Sequence, residues 1–157
     1  MSRLLSPLGA VRAAALPLLL SGCLFGRGSP ITTARLDLVA APAVNGDAPI
    51  RVDLVLVRDA ALLAKVLEWS ARDWFGRRDQ LERDYPGLVA RRSWELVPGQ
   101  REHLGRLPWS RRHGRGLLLF ADFAAPGLHR SRLDRRRHAL VTLETEGLSV
   151  ADAPAPR

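Results

Sequence analysis

The amino-acid sequence predicts a mainly β domain: a β-sandwich of seven or eight strands with one helical insertion, carried behind an N-terminal leader. Three observations predict it. Short segments of alternating apolar and polar residues recur between clusters of turn formers. Helical spacing takes over at one place only, residues 60–84. The single cysteine, Cys23, closes a short apolar stretch and has no partner for a disulfide within the chain.

From the N terminus, Arg3 and Arg12 precede an apolar run over residues 13–20. Eight residues fall within the range of about 7–15 for the apolar core of a secretory signal. They fall well short of the ~20 needed to span a bilayer. The run ends in Leu20-Ser21-Gly22-Cys23, which resembles a bacterial lipobox. That resemblance implies a diacylglycerol on the Cys23 sulfur, cleavage before Cys23 and acylation of the new amino group. The plainer alternative is an ordinary signal peptide with a chance cysteine. One acyl chain holds a protein marginally at a bilayer, whereas two or more hold it stably. Leu24, where diderm lipoproteins retained at the inner membrane have Asp, implies by that resemblance sorting to the outer membrane, with the periplasmic side as the default. The expected organisation is a removed signal over 1–22, a lipidated N terminus and tether over 23–32, a sandwich over 33–152 with its insertion at about 60–85, and a disordered tail over 153–157.

Alternation begins after the Gly- and Pro-broken tether. Leu36, Leu38 and Ala40 form one face of a first strand. Residues 41–49 hold Pro42, Asn45-Gly46-Asp47 and Pro49, all turn formers, and read as a loop. The second strand, 50–58, is apolar on both faces for part of its length, as expected where both faces are covered. Asp59 is placed to cap a helix whose apolar stripe runs through Leu62, Leu63, Val66 and Leu67. Trp74, Phe75, Leu81 and Tyr85 continue the stripe in a second helical stretch from Ser70, ended by Pro86-Gly87. Strands follow over 89–97 and 100–107 across a Pro98-Gly99 turn. Residues 108–116 are a basic loop, 117–123 the most apolar strand and hence a central one, and 124–137 a second basic loop. A hairpin over 139–144 and 148–151 closes the domain across Thr145-Glu146-Gly147.

Motifs for chemistry are sparse. His103, His113, His129 and His138 are not spaced to place two on one helix face, and no second cysteine exists for a zinc site. No metal, cofactor or small-molecule substrate is expected. There is no GxSxG, GxxxxGK or GxGxxG segment, so acyl transfer and nucleotide chemistry lack their usual scaffolds. The expectation is a protein without enzyme activity. Net charge is +8, and loss of Arg3 and Arg12 with the leader subtracts two, giving +6 on the mature side chains. An exported chain does not meet nucleic acid, so none is expected as partner. Two basic clusters, Arg111, Arg112 and Arg115, and Arg130, Arg132, Arg135, Arg136 and Arg137, read as solvated loop charge or as contacts for an anionic envelope polymer, peptidoglycan or lipid headgroups. The aromatics Trp69, Trp74, Phe75, Tyr85, Trp94 and Trp109 are expected to dock the helices onto the sandwich; the alternative is that one or two, Trp109 beside the first cluster being the best placed, form a recognition surface.

The order of features carries a family resemblance. After the lipobox come a strand, the loop Val44-Asn45-Gly46-Asp47-Ala48-Pro49, a strand ending Val55-Leu56-Val57-Arg58-Asp59, a helical insertion, Leu96-Val97-Pro98-Gly99-Gln100, the apolar strand Leu117-Leu118-Leu119-Phe120-Ala121-Asp122-Phe123 and a closing hairpin. This resembles the outer-membrane lipoproteins of the type VI secretion system (the TssJ-like, or VasD-like, family). The resemblance implies a transthyretin-like β-sandwich that anchors the secretion membrane complex by docking the periplasmic part of a TssM-like inner-membrane protein. It further implies that the partner is met by the loop between the first two strands: Pro42, Val44, Asn45, Gly46, Asp47, Ala48 and Pro49.

Overall fold

Strict alternation gives β1 (Arg35–Ala40), whose Leu36, Leu38 and Ala40 are buried while Arg35, Asp37 and Val39 point outward. The structure is a computed structural model that describes residues 30–109 and 113–154. The expected leader, Cys23, Arg111 and Arg112 lie outside the described residues.

The remaining elements are β2 (Ile50–Val57), α1 (Ala60–Val66), α2 (Ala71–Asp84), β3 (Val89–Leu96), β4 (Arg101–Leu104), β5 (Gly116–Ala121), β6 (Arg130–Arg132), β7 (His138–Leu143) and β8 (Leu148–Asp152). They build two four-stranded sheets, in the orders β4-β1-β7-β8 and β3-β2-β5-β6. Every pairing is antiparallel except β1 with β7. The fold is a mainly β sandwich with a helical insertion, as the sequence predicts. No helix among the described residues is long and apolar enough to cross a membrane.

Two cores explain why β2 and β5 are apolar on both faces. Between the sheets, Leu36, Leu38, Ala139, Val141 and Leu143 meet Val52, Leu54, Leu56, Leu117 and Leu119. On the far side of the second sheet, Val55, Val57, Leu118 and Phe120 meet Leu62, Leu63, Val66, Trp69, Trp74 and Leu81 from the helices. The domain therefore has three layers: sheet, sheet and helix pair. Among the described residues, no helix covers the outer face of the first sheet.

The helices start where the sequence places them. Asp59 accepts from the Leu62 amide, and Ser70 and Asp73 form a reciprocal capping box on α2. The hydrogen bonds from Ser70 hold the Asp73 carboxyl below the ordinary carboxylate range. Gly116 allows α1 close to β5: a Cβ there would meet a Leu63 methyl at 2.7 Å.

Other segments depart from the sequence reading. Residues 130–132, expected in a loop, form the edge strand β6, pairing with Leu118, Leu119 and Phe120. An Arg-Ser-Arg triplet shows no apolar alternation, yet charge on an edge strand guards against stray pairing. Strand β4 is shorter than expected, ending at Leu104. Trp109 is buried in the inter-sheet core, so it plugs the sandwich and offers no recognition surface. Ile31, within the expected tether, is buried in the same core, and the Thr32 amide donates to the Asp134 carbonyl at 3.0 Å. The chain is thus docked from about residue 30 onward.

Candidate functional site

Loop 41–49 crosses from the first sheet to the second, and its backbone is unusual. The Val44 amide donates to the Ala41 carbonyl at 3.1 Å, opening a 3-10 turn over Val44–Asp47. Asn45, Gly46 and Asp47 follow with φ of 51°, 65° and 64°, three consecutive left-handed residues. Glycine takes this conformation freely, and Asn and Asp tolerate it best among the rest. The Asn45 side chain fixes the turn from both ends: its amide donates to the Pro49 carbonyl at 3.3 Å and its oxygen accepts from the Ala124 amide at 2.7 Å.

Burial divides the seven loop residues named above. Val44 is fully buried in the inter-sheet core, so it anchors the loop and presents no surface. Pro42, Gly46, Asp47 and Pro49 are exposed, and Asn45 and Ala48 are half-buried. Beside them runs an open groove of about 600 Å³ lined by Asn45, Pro49, Phe75 and Phe123 with the Arg51–Asp122 ion pair. Arg51 also stacks on Phe75, 4.9 Å from the ring centre. A pinned loop with a partly apolar groove is suited to docking.

The described arginines of the two clusters do not form one patch. Arg130 donates to the Trp69 carbonyl on the helical side at 3.0 Å. Arg132 is paired with Asp134 and also donates to the Arg115 carbonyl, and Arg136 is paired with Asp152 at 2.9 Å. Arg135, Arg136 and Arg137 join Arg35 around a cavity of about 800 Å³ beside Pro30, where the segment from Cys23 enters the domain.

One cluster escapes the sequence reading altogether. Strands β4, β1 and β7 bring His103, Asp37 and His138 together on the uncovered outer face. One Asp37 oxygen contacts His103 Nδ1, and the other lies 2.8 Å from His138 Nε2. Burial raises the pKa of Asp37, but the hydrogen bonds and charges of the two histidines outweigh it, and the carboxyl sits below the ordinary range. Each histidine taken within its own strand looks like an isolated surface residue. Only cross-strand register joins them, and that register is not written in local spacing.

No protein-family profile and no curated protein sequence matches the chain. Solved structures do. The type VI secretion lipoprotein TssJ1 from Pseudomonas aeruginosa superposes with a TM-score of 0.57 at 23% identity, over 79% of this chain and 99% of that one. Lip from Serratia marcescens, a membrane-bound component of the type VI secretion system, gives 0.52 at 16% identity, over 78% and 99%. A chain in the structure of the TssM C-terminal domain from EAEC gives 0.56 at 17% identity, over 76% and 98%. The chain has the fold of the TssJ-like lipoproteins, which is the fold the resemblance in its sequence implies.

Proposed function

We propose that this chain is a lipid-anchored structural subunit of a type VI secretion membrane complex, held at the outer membrane through Cys23 and facing the periplasm. It docks the periplasmic part of a TssM-like inner-membrane protein through the exposed residues of loop 41–49. The observation that carries the reading is the shared fold, matched over nearly the whole length of two type VI secretion lipoproteins. The presence of a TssM C-terminal domain structure among the similar ones supports a TssM-like partner. Those relatives are structural lipoproteins, which supports a role without catalysis. The loop supports the docking assignment because its shape is set before any partner arrives, which reduces the ordering cost of binding.

The direct test is recovery of the inner-membrane partner's periplasmic domain by loop variants. Asp47→Arg together with Pro49→Ala is expected to weaken binding at least tenfold, the scale of a docking hot spot. Unchanged binding refutes the loop assignment. Ionic strength separates a second reading, contact with an anionic polymer through Arg35, Arg135 and Arg137, which the cavity beside Pro30 favours. Docking through the loop and its partly apolar groove falls little as salt rises, whereas arginine contacts to a polyanion fall steeply.

The anchor has its own test. Cys23→Ser is expected to abolish incorporation of labelled palmitate and to move the protein from the membrane fraction to the soluble one. A serine variant that still sediments with membranes overturns the lipid assignment.

A further inference from the structure

We propose that Asp37, His103 and His138 form a binding site for a divalent transition-metal ion of the zinc class, with two imidazoles and one carboxylate as ligands and water completing the sphere. The three residues each offer one ligand atom, and those atoms all lie within 4.8 Å of one another. Two ligands on a tetrahedral zinc stand roughly 3.4 Å apart, given bonds of about 2.0–2.1 Å. The Asp37 carboxylate is already in reach of both rings. Only the two histidine nitrogens need to approach, by about 1.4 Å at most.

The site has one mobile ligand and two held ones. The His103 side chain is 68% exposed, so it can turn without disturbing the core. Asp37 and His138 are 24% and 14% exposed and sit on β1 and β7, the two inner strands of the sheet. The ring centroids of the histidines lie 6.4 Å apart at 70°, so the rings are edge-on and unstacked, leaving room between them. Neutral imidazole with carboxylate suits zinc, copper and nickel, whereas magnesium and calcium require more oxygen ligands. Arg35, opposite His138 across the β1–β7 pair, is one cation that such an ion must tolerate, with Arg137 next to His138 in sequence and lining the same cavity. Arg35 also lines the open cavity beside His138, where its guanidinium has room to turn toward solvent.

A bound ion would cross-link β4, β1 and β7. That matters most for β4, a four-residue edge strand paired, among the described residues, with β1 alone. The proposal is independent of the secretion assignment, since it needs only the three side chains and the sheet that presents them.

The experiment uses the full-length protein in detergent micelles, free of any affinity tag and stripped with a chelator. Zinc at about 100 µM is expected to raise Tm by about 4 °C, the shift for a site about nine-tenths saturated at tenfold excess over Kd. Mg²⁺ at the same concentration leaves Tm unchanged. His103→Ala and His138→Ala each remove the zinc response while retaining a cooperative melt, and His129→Gln retains it. Co²⁺ gives a second readout, a visible d–d absorption band that is lost in His103→Ala. Absence of both signals in the parent protein, or their persistence in His103→Ala, overturns the site and leaves a plain hydrogen-bonded clasp.

Discussion

Trp74→Ala lowers the unfolding free energy by about 3–5 kcal/mol in a urea titration, the range for removing a fully buried large aromatic. Trp74 is completely buried between α2 and the second sheet. Its ring stacks on Phe120 with centroids 5.0 Å apart and an interplanar angle of 10°, and its Nε1–H donates to Asp53 Oδ2 at 2.8 Å. Besides Trp74, only Ala71 and Leu81 of α2 are buried, so most of the packing that holds the second helix is in this one side chain. Domains of this size have about 5–15 kcal/mol in total, so the loss is a large share. Trp74→Phe keeps one aromatic ring and loses the pyrrole half with its donor, and is expected to cost about 1–3 kcal/mol. Hydrogen exchange localises the effect: α2 amides lose protection while those of β2 and β5 keep theirs. A cost below about 1 kcal/mol for the alanine variant would show that the helices are held by something else.

Asp53→Ala costs about 3 kcal/mol by the same measurement. Asp53 is completely buried on a sheet face whose buried centre is apolar, with Val55, Val57, Leu118 and Phe120. It is tolerated there because Arg78 pairs with it at 2.7 Å and Trp74 donates to the same oxygen. Breaking a buried ion pair by removing one partner costs about 3–5 kcal/mol. The lower end applies because Arg78 is 19% exposed and retains Asp79 at 3.8 Å. Arg91, the second arginine near Asp53, likewise retains Asp79 and Glu82 at 3.2 and 3.1 Å. Replacing both members, Asp53→Leu with Arg78→Met, recovers most of the loss, since a well-packed apolar pair avoids desolvating charge. Failure of the double variant to recover would mean that the carboxylate specifies the helix position beyond its charge balance.

These two residues also show what was legible in the sequence. The helical stripe placed Trp74 inward, and Asp59 and Ser70 marked both helix starts, because capping and helical spacing are local signals. Alternation in β1 and the doubly apolar β2 were legible for the same reason. Asp53 was not singled out, since a lone carboxylate in an apolar strand shows no partner until Arg78 is brought to it from α2. Strand β6 was hidden because arginine side chains conceal the pairing of their backbone. Val44 and Trp109 were misjudged in the opposite sense: both lie in loops, and whether a loop side chain turns inward depends on contacts distant in sequence. The Asp37, His103 and His138 cluster failed for the same cause on a larger scale, being assembled from three strands.

The parallel partnership of β1 with β7 sets an order of events in the life of the polypeptide. Arg35 sits opposite His138, and Ala40 opposite Leu143. A chain that emerges N terminus first therefore carries β1 with one flank bare until almost all of it has passed. Closure of that sheet is late and concerted, as non-local pairing dictates. The second sheet and the β1–β4 pair need no residue beyond 132, so the first sheet is the part of the sandwich that waits for the C-terminal hairpin.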